Sequence, residues 1–192
     1  PHQKGAFYLQ EGIKEPCIAT SKKIHGKELS YNNILDGNRA IECIKEFEEP
    51  SVVIIKHATP SGIASASTLE KAWEDAFATD EYSPFGGVVA VNREAHGKLA
   101  EKMSKIFLEV VIAPSFSKEA VEIFTRKKNL RLLEVKGLEN CKREMQMEIR
   151  SVVGGALIQE RDIKEINPND WKVVTVKKPS PQDINSMVFA VK

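Results

Sequence analysis

Short, unbroken apolar runs separated by amphipathic stretches constrain this chain more than any other feature. Ser51-Val52-Val53-Ile54-Ile55, Val88-Val89-Ala90-Val91, Val110-Val111-Ile112-Ala113 and the run from Leu130 to Val135 are each bounded by turn residues. Runs of this length suit strands buried on both faces, which need helices above and below the sheet. Between them, apolar residues recur at helical spacing. Ile34, Ile41, Ile44 and Phe47 share a face of a helix that starts near Ser30 and is ended by Pro50. Leu69, Trp73, Ala76 and Phe77 form a second stripe, with Ser67 and Glu70 spaced as a capping box. Leu99, Met103, Ile106 and Phe107 form a third. Ser117 caps a short helix to Phe124, and Arg126, Lys127 and Lys128 favour its C-terminus. Thr59-Pro60-Ser61-Gly62 and Pro84-Phe85-Gly86-Gly87 have turn and loop composition. The alternation predicts an α/β fold, a three-layer sandwich whose mostly parallel sheet is flanked by helices.

The last third is less regular. Gly137 to Arg143 is polar and reads as a connection. Met145, Met147 and Ile149 alternate with polar residues as in a half-exposed strand, which Gly154-Gly155 breaks. Trp171 to Val176 has the composition of a further strand. Ser180-Pro181 is a strong helix start, followed by an apolar face of Ile184, Met187, Val188 and Val191. That helix pattern is still periodic at Lys192, and the chain opens on Pro1-His2-Gln3, so a segment of a longer protein is expected.

Composition narrows the partners. With 42% hydrophobic and 29% charged residues, the chain has the makeup of a folded domain. A net charge of +1 argues against nucleic acid as a main partner. No apolar run approaches the roughly 18 residues that a membrane span needs. Cys17, Cys43 and Cys141 are widely separated and form no CxxC, which disfavours a structural zinc site and fits a reducing, cytoplasmic compartment.

Three places could hold chemistry, on the rule that ligands bind beyond the carboxyl ends of strands in parallel α/β sheets. Lys56-His57 closes the first buried run, placing a cation beside an imidazole that can take a proton near neutral pH. The bland alternative is a snorkelling lysine and a histidine bonded to a carbonyl. Gly86-Gly87 would let backbone N–H groups approach an anion, or would simply make a tight loop. Phe85 could stack on a planar ligand or fill the core. Glu109 opens the third run. Neither the dinucleotide fingerprint nor a Walker loop occurs.

Taken together, the ordered blocks are far more specific. They are Pro1-His2-Gln3-Lys4, Leu29 to Asp36, Lys56-His57-Ala58-Thr59-Pro60-Ser61-Gly62, and Ser83-Pro84-Phe85-Gly86-Gly87 with Asn92. Glu109 to Pro114, Asn129-Leu130-Arg131, Gly154 to Gln159 and Val173-Val174-Thr175 follow. This set resembles the AICAR formyltransferase part of the bifunctional AICAR formyltransferase/IMP cyclohydrolase family, over essentially the whole chain. The resemblance implies formyl transfer from 10-formyltetrahydrofolate, as co-substrate, to the 5-amino group of AICAR in purine biosynthesis. It implies a cytidine-deaminase-like fold, with residues 1–192 as the first copy of a tandem pair and the cyclohydrolase domain absent. It implies no catalytic metal, and the deaminase zinc signature is missing here.

Carried over residue by residue, the resemblance makes Lys56 and His57 catalytic. It places Gly86 and Glu109 at the nucleotide as substrate-binding residues, and Asn33 and Asp36 in a block near it. It places Ser83 and Phe85 beside the folate. It also implies a homodimer with shared active sites, and leaves this chain with half a site. The competing expectation is a nucleotide-binding or dimer-assembly module without catalysis of its own.

Overall fold

All four apolar runs form strands in a computed structural model, which describes residues 2–192. In chain order the elements are β1 (Lys22–His25), α1 (Tyr31–Ile44), β2 (Ser51–Lys56), β3 (Thr59–Ser65), α2 (Leu69–Ala78), β4 (Gly87–Val91), α3 (Gly97–Met103), β5 (Leu108–Ala113), α4 (Lys118–Thr125), β6 (Arg131–Glu134), β7 (Met147–Val152), β8 (Gly155–Glu160) and α5 (Pro181–Val191). They divide into two compact units, one ending at Lys142 and the other spanning Arg143–Lys192.

The first unit is built on a six-stranded sheet of order β1-β6-β5-β4-β2-β3. β4, β5 and β6 are parallel neighbours. β2 is antiparallel to both β3 and β4, and β1 is antiparallel to β6. Thus β3, β4, β5 and β6 share one direction, and β1 and β2 oppose them. The sheet is mostly parallel in direction, but its parallel pairing is confined to the β4-β5-β6 side.

Strand alternation sorts the apolar runs into two cores. Val52, Ile54, Val89, Val91, Val111, Ala113 and Leu132 face α2, α3 and α4, meeting Trp73, Met103 and Phe124. Val53, Ile55, Val88, Ala90, Val110, Ile112 and Leu133 face α1, meeting Ala40, Ile41 and Ile44. This is the three-layer arrangement that the doubly buried runs predict. Each full burial of a valine or isoleucine contributes about 1.5–3 kcal/mol before entropy is counted.

Helix starts follow their capping chemistry. The Ser30 hydroxyl accepts from Asn33 N–H at 3.2 Å, and Asn33 Oδ1 accepts from Ser30 N–H at 3.1 Å. Ser117 and Ser180 cap α4 and α5 as expected. The cap of α2 is Thr68 rather than Ser67, with its side chain accepting from Lys71 N–H. Helix α1 stops at Ile44, well before Pro50, and α3 stops at Met103, leaving Ile106 and Phe107 in the link to β5. Thr59-Pro60-Ser61-Gly62 begins β3 instead of forming a turn, and the reversal falls one step earlier, at His57-Ala58. Strand β1 has no apolar run to announce it. It is held by edge pairing to β6.

In the second unit β7 and β8 form a hairpin around Val153-Gly154, with Gly154 at φ +84°. Every residue of both strands is exposed, so alternation buries neither face. Trp171 to Val176 forms no strand. Helix α5 buries no residue, and Met187 and Val191 on its expected apolar face are exposed. Cys17, Cys43 and Cys141 are half-buried and form no disulfide. Among the described residues, no helix is long and apolar enough to cross a membrane.

One buried side chain ties the α1–β2 connection to the end of β4. Asn92 Oδ1 accepts from Ser51 N–H at 2.8 Å, while its Nδ2 donates to the Phe47 and Glu49 carbonyls at 2.8 and 2.7 Å. Asn92→Ala strands all three backbone groups and should cost about 3 kcal/mol in urea unfolding. Asn92→Asp should cost a comparable amount, because a carboxylate cannot donate to the two carbonyls.

Candidate active site

The β2–β3 hairpin turns through two residues, His57 at φ 54° and Ala58 at φ 60°. Such turns favour Asn-Gly, because both central residues need positive φ. A residue with a Cβ loses about 1–2 kcal/mol in that region. His57 and Ala58 are the only non-glycine residues with positive φ among those described. Helix α1 supports the turn from outside the hairpin, where Asp36 Oδ1 accepts from Ala58 N–H at 2.7 Å. The His57 side chain is exposed and has no hydrogen-bond partner among the described residues.

Lys56, the last residue of β2, is half-buried. Its ammonium donates to the Phe85 and Gly86 carbonyls at 2.8 and 3.1 Å. The lysine is therefore clamped by the loop before β4 and does not reach freely into solvent. Gly86 sits at φ +70°, and a Cβ there would lie 3.0 Å from Lys56 Nζ and 3.4 Å from the Phe107 ring. Gly86 N–H donates to the Phe107 carbonyl at 2.7 Å, and Gly87 N–H to the Pro84 carbonyl at 2.8 Å. Both glycine N–H groups are thus engaged within the protein.

The loop carries the other predicted residues. Phe85 is 65% exposed and leans on Phe107 with ring centroids 5.3 Å apart. An aromatic pair at the surface can stack on a planar ligand. The Ser83 hydroxyl donates to Asp80, whose carboxylate also accepts from Ser83 N–H at 3.0 Å and Tyr82 N–H at 2.9 Å. Those bonds, the hydroxyl's first, hold the Asp80 carboxyl below the ordinary 3.8 of an aspartate.

Glu109, half-buried at the start of β5, pairs with Arg131 at the start of β6. The Arg131 guanidinium also donates twice to the Glu28 carbonyl, at 3.2 Å each. Asn33 is buried, and its carbonyl oxygen is committed to the α1 cap. Asp36, one turn further on, is the member of that block that reaches the hairpin.

Lys56-His57, Gly86, Glu109 and Arg131 therefore lie along one sheet edge. That edge holds the carboxyl end of β2 but the amino ends of β4, β5 and β6. The carboxyl-end rule consequently describes the placement of Lys56-His57 on β2, but not that of Gly86 or Glu109. Over the carboxyl ends of β5 and β6 there is a separate cleft of about 520 Å³, lined by Arg93, Glu94, Ser115, Glu134 and Lys136 among others. It holds none of the predicted residues, and Arg93 there is spent on the carbonyls of Asn92, Glu139 and Glu48.

Arg131, Phe107 and Asp80 escape sequence reading as site members. Arg131 had one usable signal, its place at the head of a parallel strand beside the strand headed by Glu109. Among the described residues, no three His, Cys, Asp or Glu side chains cluster as a metal site.

A carbonyl-clamped lysine beside an exposed imidazole on a strained turn has the makings of a group-transfer or acid–base site. The chain belongs to the AICARFT/IMPCHase bienzyme family, whose family model matches residues 1–192. It is 48% identical over 192 residues to the bifunctional purine biosynthesis protein PurH of Acetivibrio thermocellus, covering all of this chain and 37% of that protein. The PurH of Oceanobacillus iheyensis is 50% identical over 192 residues with the same coverage, and that of Lactococcus lactis subsp. lactis 46% over 193. The chain thus spans little more than a third of the length of these relatives. Among solved structures, Acinetobacter baumannii RibD aligns at a TM-score of 0.40 and 16% identity, over 53% of this chain and 34% of that one.

Two predictions test the loop. The Asp80 carboxyl should titrate below 3.8 by NMR, and Ser83→Ala should return it toward that value. As pH falls through the lowered value, the Ser83 bonds and the stability that they add are lost. Gly86→Ala should cost about 1–2 kcal/mol in denaturant, from positive φ alone. It should also push the Lys56 amine off the Phe85 carbonyl, visible as a new lysine position in a crystal structure.

Proposed function

We propose that this chain carries the lysine–histidine half of an AICAR formyltransferase site and serves purine biosynthesis. The observation that carries this reading is the pairing of the clamped Lys56 ammonium with an exposed, unengaged His57 imidazole on a turn held from α1. Family membership and the relatives' printed role in purine biosynthesis support it.

The chemistry needs both groups. The 5-amino group of AICAR is an aryl amine beside a carboxamide, hence a poor nucleophile. It attacks the formyl carbon of 10-formyltetrahydrofolate, and His57 takes the proton released as the new C–N bond forms. The formyl oxygen gains negative charge in the tetrahedral state, and the Lys56 ammonium offsets it. Collapse breaks the bond to folate N10, which takes up a proton, leaving formylated AICAR and tetrahydrofolate. Ser83 and the exposed Phe85–Phe107 pair border the folate in this reading. Gly86 and Glu109, near the block of Asn33 and Asp36, border the nucleotide.

In this reading residues 1–192 act as one cytidine-deaminase-like copy of a tandem pair in a cytoplasmic homodimer. The rest of the relatives' length supplies the other substrate contacts. A second reading, an assembly or nucleotide-binding module without turnover, draws on the wholly exposed β7–β8 hairpin. Calorimetry with AICAR and size-exclusion chromatography separate the two, since tight AICAR binding or stable self-association without any effect on transfer favours the second.

Assayed alone with AICAR and 10-formyltetrahydrofolate, the chain should turn over little or not at all. With these residues replacing the matched portion of the Oceanobacillus iheyensis relative, formyl transfer should return. His57→Ala in that protein should lower kcat by about 100-fold or more, with an unchanged melting temperature. Near-normal transfer by His57→Ala would overturn the base assignment.

A further inference from the structure

We propose that Asp36 is a positioning residue for formyl transfer, acting through the backbone of the His57-Ala58 turn and not through the substrate. The inference rests on the reading of His57 as the base.

A two-residue hairpin bonds its flanking strand residues, Lys56 and Thr59, to each other and leaves the two turn N–H groups outside the ladder. The Asp36 carboxylate accepts from one of these, Ala58 N–H, at 2.7 Å. A charged acceptor makes this a stronger bond than a neutral one would. It closes on the residue immediately after His57, in the only stretch of positive φ that lacks glycine among the described residues. A histidine and an alanine resist that conformation, so an external acceptor is needed to hold it. The acceptor comes from the sixth residue of α1, a helix whose own start is fixed by the Ser30–Asn33 capping box. Helix α1 is in turn packed by Ala40, Ile41 and Ile44 on β2's face of the core. The imidazole direction is thereby referred to the rigid core. Lys56, one residue earlier, is referred separately to the Phe85 and Gly86 carbonyls. Two anchors on different elements set the relative placement of cation and base.

The alternative role for Asp36 is direct contact with the nucleotide, and the two roles differ in what they change. A positioning role acts on the chemical step, because a base displaced by about 1 Å can lose on the order of 100-fold in rate. A contact role acts on nucleotide binding.

The test uses the same Oceanobacillus iheyensis protein carrying these 192 residues. Asp36→Ala should lower kcat by about tenfold or more, with KM for AICAR and for 10-formyltetrahydrofolate within about twofold. Asp36→Asn keeps an oxygen acceptor and should recover most of that loss. Adding Ala58→Gly to Asp36→Ala should also recover kcat, because glycine takes positive φ without steric resistance. In the 192-residue chain, Asp36→Ala should speed hydrogen exchange at the Ala58 amide. The inference is overturned by an unchanged kcat in Asp36→Ala, by a loss expressed in KM for AICAR, or by failure of both Asn and the glycine suppressor to recover activity. Unhurried exchange at Ala58 would overturn it as well. His57→Ala in parallel keeps the two ideas apart. Full activity there sinks the base itself, whereas an inactive His57→Ala beside an unaffected Asp36→Ala sinks the positioning role only.

Discussion

Strand β2 is paired antiparallel with β4 so that Ile54 lies opposite Val89 and Ile55 opposite Val88. Both the core and the site depend on that register. Ile54 and Val89 share the face covered by α2, α3 and α4, while Ile55 and Val88 share the face covered by α1. A slip of one residue would exchange the faces of every side chain on β2. It would also carry Lys56 away from the Phe85 and Gly86 carbonyls, since the strand end and the glycine loop meet only in this register. Apolar packing across two faces thus fixes the position of a cation that lies outside the apolar core.

The site edge is more constrained than its exposure suggests. A Cβ at Gly86 would press on the Lys56 ammonium and shift it. The turn after Lys56 sits in a conformation that its residues disfavour, and a carboxylate from a helix steadies it. Glu109 and Arg131 join the heads of two adjacent parallel strands, and Arg131 continues to the Glu28 carbonyl. Against this rigid frame, His57 and Phe85 are the exposed groups, one able to exchange a proton and the other able to stack.

Much of the first unit is visible in its residues. Doubly buried strands show as unbroken runs because both faces are covered, and helices capped by serine show as Ser30 and Ser117 do. Errors concentrate where local composition has a competitor. Thr59-Pro60-Ser61-Gly62 has turn chemistry, yet pairing with β2 draws it into a strand, and Pro60 is tolerated where the ladder bulges at an edge. Lys22–His25 has no strand signal and is a strand because β6 offers an open edge. In the second unit the alternation of Met147 and Ile149 correctly marks a strand but not a buried face.

By itself, the sequence determined several local facts: that the four unbroken apolar runs become strands, that Ser30, Ser117 and Ser180 start helices, and that Lys56 and His57 stand together at a strand end. It also determined the family, through ordered blocks that recur across the chain. Only the tertiary structure decided that β2 runs against β4, so that the candidate residues gather at the amino ends of the parallel strands. Only it decided that Lys56 is held by two carbonyls, that Asp36 reaches Ala58, and that Glu109 meets Arg131. The reason is physical. Periodicity records how much of a strand is buried, but a strand buried on both faces looks the same whichever way it runs. Its direction and neighbours are set by contacts between residues far apart in the chain.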